Sequence, residues 1–126
     1  MGLKDYFKKM KEEADAKLAE QFTADRMRLE KDIILALRQV YDPEIPVNVY
    51  DLGLIYDLVV TQEHEVNIKM TLTAPNCPMA DYVVQQVKDA VEDVPGVIKA
   101  NIDLVFEPIW DKSRMSEEAL VELGLD

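Results

Sequence analysis

The chain has 126 residues, 48% of them hydrophobic, which suits the core of one ordinary domain and makes a second unlikely. Fourteen Lys and Arg residues stand against 25 Asp and Glu, and the resulting charge of −11 argues against nucleic acid or a membrane as partner. One cysteine cannot close an internal disulfide, and neither a secretory signal nor a bilayer-length apolar span is visible, so the expected setting is cytoplasmic, with a reduced thiol.

Residues 3 to 22 place Leu3, Phe7, Met10, Ala14, Leu18 and Phe22 at intervals of three and four between charged residues, the pattern of an amphipathic helix. It is basic in its first half and acidic in its second, which favours packing on the domain or a partner over a lipid surface. Thr23 and Asp25 are suitable helix starts, and Leu29, Ile33, Leu37 and Val40 mark a second helix ending near Tyr41. We therefore divide the chain into a helical extension, residues 1–25, and a domain, residues 26–126.

Asp42-Pro43 ends that helix in a turn, and a long loop follows through Pro46 to Gly53, where a positive φ or a bulge is expected. A first strand at about 54–60 and a hairpin loop, Thr61 to His64, lead to a second strand in which Val66, Ile68, Met70 and Leu72 alternate with polar residues. After Cys77 the period becomes helical, with Met79, Val83, Val87, Ala90 and Val91 on one face up to Pro95-Gly96. A third strand has Ile98, Ala100, Ile102, Leu104 and Phe106 inward, and a short helix runs from about Ser116 to Gly124. The order α-α-β-β-α-β-α implies a two-layer α/β domain, with a small mixed sheet and helices on its one apolar face. Strands one and two form an antiparallel hairpin, and strands two and three run parallel across a helix.

Pro78 suits a first helical position, which would make Cys77 the N-cap, where the helix dipole favours a thiolate. A thiolate is both a nucleophile and a soft metal ligand. An inert, buried cysteine is the plain alternative. His64, the only histidine, falls at the far end of the second strand, too distant to serve as a base for Cys77. One cysteine and one histidine cannot build a zinc site, so a metal or cluster held through Cys77 needs ligands from a second chain, a client or a small thiol.

The hairpin should bring the loop bearing Asp42, Glu44 and Asp51 to the same sheet edge as Thr71, Thr73 and Cys77. The acids could ligate iron, but turn formation at Asp42, local capping at Asp51 and strand ends satisfied by the threonines form the simpler account. Tyr50, Tyr56 and Trp110 could line a groove or belong to the core.

Three segments carry a family resemblance: Asp42-Pro43-Glu44-Ile45-Pro46-Val47-Asn48-Val49-Tyr50-Asp51-Leu52-Gly53-Leu54-Ile55-Tyr56, then Thr71-Leu72-Thr73-Ala74-Pro75-Asn76-Cys77-Pro78, then Phe106-Glu107-Pro108-Ile109-Trp110 with Arg114-Met115-Ser116. In order and spacing they resemble the SufT and PaaD type of iron–sulfur assembly domain, over about residues 29 to 124. The resemblance implies a small α/β fold and a maturation factor, a non-enzymatic carrier or adaptor delivering clusters to client apoproteins. It puts Cys77 in the place of the family's reactive cysteine and metal ligand, with Asp42, Glu44, Asp51, Thr71, Thr73 and Asn76 around it. The cofactor implied is a transient iron–sulfur cluster shared with a second chain or a client, and the partners implied are a scaffold and client apoproteins. A homodimer sharing a cluster through paired Cys77 thiolates is compatible with the sequence, though no residue pattern demands it. Ile109 stands where the family often has a second proline. The phenylacetyl-CoA monooxygenase branch often carries extra C-terminal cysteines, and their absence here favours the general maturation branch. A thiol enzyme or redox switch, an assembly subunit for such a monooxygenase, and an inert interaction module are the competing readings.

Overall fold

The computed structural model describes residues 2–74 and 78–124. Helix α1 spans Leu3–Leu37, strand β1 Ile55–Val60, strand β2 Glu65–Met70, helix α2 Ala80–Glu92 and strand β3 Lys99–Leu104; a 3-10 turn at Lys112–Arg114 precedes helix α3, Glu117–Leu123. The sheet order is β1-β2-β3, with β1 antiparallel and β3 parallel to β2, in the expected two-layer α/β architecture.

The two expected N-terminal helices are one helix of 35 residues. Thr23 does not cap: its hydroxyl donates to the Ala19 carbonyl 2.9 Å away, one turn back, a bond that a helix interior accommodates. Asp25 accepts from Gln21 and lies 3.8 Å from Arg28, so its carboxylate also serves helix surface pairs. The helix ends at Leu37, four residues before the expected limit.

Only the last third of α1 joins the core, through Leu29, Ile33 and Leu37, each fully buried. Against them pack Val83, Val87 and Val91 of α2, the sheet residues Val66, Ile68, Met70 and Ala100, and the loop residues Val47, Val49, Leu52 and Leu54. The sheet's other face is polar and exposed, with Asn101 donating to Asn67 across β3 and β2 at 2.9 Å. The inward row proposed for the third strand is too long. Ile98 is 73% exposed and precedes the first paired residue, and Phe106 follows the last one and is also exposed.

His64 occupies the hairpin turn with φ 62°, and its carbonyl accepts from the Ile98 N–H, giving it a structural role at the edge away from the site. At the chain's far end, Ser116 caps α3 by accepting from the Ala119 N–H, and Gly124 closes it in the left-handed conformation.

Ile33→Ala is expected to cost about 2–5 kcal/mol, because it opens a cavity between α1 and the sheet. Met27→Ala, two turns earlier on an exposed surface, is expected to change stability by no more than about 0.5 kcal/mol. Urea denaturation followed by far-UV circular dichroism measures both, and equal effects would contradict the assignment of Ile33 to the core.

Candidate functional site

Three connections gather at one edge of the sheet. The Thr71 N–H donates to the Leu54 carbonyl at 2.8 Å, joining the exit of β2 to the start of β1. The Val105 N–H donates to the Met70 carbonyl at 2.8 Å, placing the exit of β3 beside them. Since β2 and β3 are parallel, this is the carboxyl edge of the parallel pair, where open α/β sheets commonly hold their ligands.

The loop before β1 folds on its own side chains. Asp42 is buried, and its carboxylate accepts from the backbone N–H groups of Glu44 (2.8 Å) and Ile45 (2.9 Å), the turn that Asp-Pro foreshadows. Asn48 and Asp51, also buried, form a reciprocal pair. The Asn48 amide donates to the Asp51 carboxylate at 2.7 Å, while the Asp51 N–H donates to the Asn48 carbonyl oxygen at 2.8 Å. Arg38 approaches Asp51 at 3.8 Å and covers the Tyr50 ring at 5.2 Å from its centre. Asp42 and Asp51 are thus engaged in holding the loop. Glu44 is exposed, Thr71 fully buried and Thr73 half-buried. Among the described residues, no three His, Cys, Asp or Glu side chains converge to hold a metal ion.

The segment after β3 clamps this loop from outside. The Trp110 indole N–H donates to the Leu52 carbonyl at 2.6 Å, the Ser116 N–H donates to the Asp51 carbonyl at 2.8 Å, and the Tyr56 hydroxyl donates to the Pro108 carbonyl at 2.7 Å. Arg114 lies over the Tyr56 ring at 4.5 Å. Tyr56 reaches this segment from a bulge: Ile55 pairs with Met70 and Asp57 with Lys69, leaving Tyr56 as the extra residue. Gly53 has φ 77°, and a Cβ there would sit 2.1 Å from the Arg114 carbonyl oxygen, so the two strands of the clamp meet where a side chain is absent. In the same segment Asp111 is held below the usual carboxylate range by hydrogen bonds from the Ser113 hydroxyl and then from its backbone N–H. A lowered carboxyl favours the folded state above its ordinary value, and that support is lost as pH falls through the depressed one.

Asn76 and Cys77 lie outside the described residues. Their neighbours Ala74 and Pro78 belong to the β2–α2 connection at the carboxyl edge. One part of the sequence reading needs correction. Helix α2 begins at Ala80 with Met79 as its N-cap, so Pro78 is not the first helical residue and Cys77 is not the cap. Met79 is exposed rather than on the buried face, since it precedes the helical stripe of Val83, Val87 and Val91.

The sequence pattern described as "Iron-sulfur cluster assembly protein" matches residues 30–103. The chain belongs to this iron–sulfur cluster assembly family. An Fe-S protein maturation auxiliary factor of Porphyromonas gingivalis is 58% identical over 98 residues, covering 78% of this chain and 93% of that protein. The maturation auxiliary factor YitW of Bacillus subtilis is 39% identical over 77% of this chain and 95% of its own. Among solved structures, a domain of unknown function from Bacillus anthracis superposes with TM-score 0.76 at 34% identity, over 82% of this chain and 99% of that one. The family match includes the loop before β1, the β2–α2 connection, β1, β2 and all but the last residue of β3. It stops short of the Trp110 clamp and begins after the exposed part of α1.

Gly53→Ala is expected to destabilise the protein by at least about 2 kcal/mol, since an L side chain pays for the left-handed conformation and must also displace the Arg114 backbone. Trp110→Phe, which keeps the ring and removes the donor to Leu52, should cost about 1–2 kcal/mol. Thermal unfolding of both variants measures this, and a Gly53→Ala protein as stable as wild type would refute the contact.

Proposed function

We propose that the protein is a cytoplasmic iron–sulfur maturation factor that carries a cluster, or presents a client to one, through Cys77, and that it acts by contact and ligand exchange without turnover. The observation that supports this most is the coincidence of the family match with the carboxyl edge of the parallel strands, where the connection bearing Cys77 begins and ends. The relatives' names point the same way: they are called maturation auxiliary factors, and a more distant one from Synechocystis, 31% identical over 64% of this chain and 23% of its own, is called an iron–sulfur cluster carrier protein.

In this reading the cluster is cargo. The Cys77 thiol gives its proton to solvent, its sulfur displaces a scaffold thiolate from a cluster iron, and a client thiolate then displaces Cys77, each iron–sulfur bond formed replacing one broken with no change of oxidation state. A single thiolate suits a transient carrier, because the remaining ligands must come from the scaffold or the client. Asp42 and Asp51 hold the neighbouring loop in shape, while Glu44 of the same loop is exposed. The Trp110 clamp fixes the far side of the same edge, so the client meets a preformed surface.

In this reading Cys77 serves the cluster, so Cys77→Ala should leave stability within about 0.5 kcal/mol of wild type. Cells carrying only this variant should lose client iron–sulfur enzyme activity to the level of cells without the protein. Full client activity would overturn the role of Cys77. Turnover of a thiol substrate by the purified, iron-free protein would favour the enzyme reading.

A further inference from the structure

The first 26 residues of α1 reach away from the domain. Residues 2–21 are all exposed, among them Leu3 (70%), Phe7 (57%), Met10 (48%) and Leu18 (69%). At 100° per residue, Leu18 and Phe22 lie within about 20° of Leu29 and Phe7 within about 40°, while Ala14, Leu3 and Met10 lie about 60°, 80° and 100° round, so the uncovered row joins the buried one and slants across the helix. The row is long enough, at about 30 Å from Leu3 to Phe22, to form a helix–helix seam.

The amino end of this arm is weakly held. Gly2 offers no side-chain cap, and four lysines, at 4, 8, 9 and 11, crowd the helix end that its dipole makes positive. Burial of the apolar row adds to what helix-forming residues and surface pairs supply.

Charge selects what covers it. Residues 3–11 hold four lysines and one aspartate, whereas residues 12–25 hold five acids and one lysine. A second copy laid antiparallel, centred between residues 12 and 13, brings Leu3 against Phe22 and Phe7 against Leu18. The same register sets Lys9 and Lys11 near Asp15 and Glu13, and Lys4 near Glu20. A parallel pair would stack basic on basic and acidic on acidic. An anionic bilayer would attract the first nine residues and repel the next fourteen.

We infer that the exposed arm of α1 is a homodimerisation element that pairs with the same arm of a second copy of this chain as two antiparallel helices. In that dimer the two Leu29 positions lie about 50 Å apart, 33 residues of helical rise, so each domain keeps its own carboxyl edge open.

Sedimentation equilibrium of the full chain, with a Cys77→Ser background for cross-linking, tests this. Wild type should sediment as a dimer at tens of micromolar, and Phe7→Glu with Leu18→Glu should weaken association about a hundredfold or more while the domain stays folded. Under mild oxidation, a mixture of Phe7→Cys and Leu18→Cys chains should form the mixed disulfide, and Phe7→Cys alone should not, its two sulfurs being about 17 Å apart along the seam. A wild-type monomer at about 100 μM, self-cross-linking of Phe7→Cys with no mixed species, or monomeric binding of the arm to phosphatidylglycerol-containing vesicles would each overturn the proposal.

Discussion

A three-stranded sheet with one apolar face must be covered from a single side, and here two helical stretches lead the covering layer. Leu29, Ile33 and Leu37 of α1 and Val83, Val87 and Val91 of α2 fill that layer, and each row repeats at four-residue spacing. With the helices fixed there, the connections at the carboxyl ends of β2 and β3 are pushed to one edge. The site is a consequence of that packing before it is a matter of chemistry.

The edge is held by polar bonding as well as by hydrocarbon. Asp42, Asn48 and Asp51 organise the loop before β1 from within, while Trp110, Ser116 and Tyr56 tie it to the segment after β3. Most of these bonds run between a side chain and a backbone group, so each fixes the course of the main chain directly. A surface assembled this way is stiff without needing a deep pocket, which suits a protein that meets other proteins.

Much of this was legible from residues alone. The alternation through Val66, Ile68 and Met70, the Ser116 and Gly124 caps and the left-handed Gly53 follow from local rules that tertiary contacts did not override. The turn at Asp42 was legible for the same reason. Three features were hidden because they depend on partners distant in sequence or on competition between equal local choices. The Tyr56 bulge shows only once β1 is registered against β2, and the Trp110 bond to Leu52 spans 58 positions. Thr23 can cap a helix or bond back within one, and the sequence around it is compatible with both; continuity of α1 decided for the second. Exposure of Ile98 and Phe106 follows from where strand pairing stops, which alternation does not encode.

Trp110 is the only tryptophan in the chain, half-buried with its indole nitrogen bonded to the Leu52 carbonyl. Red-edge emission from the protein therefore originates at one place, the seam between the loop before β1 and the segment after β3. Any loosening of that seam lets water reach a single fluorophore, so the molecule carries its own optical gauge of the edge on which a client would settle.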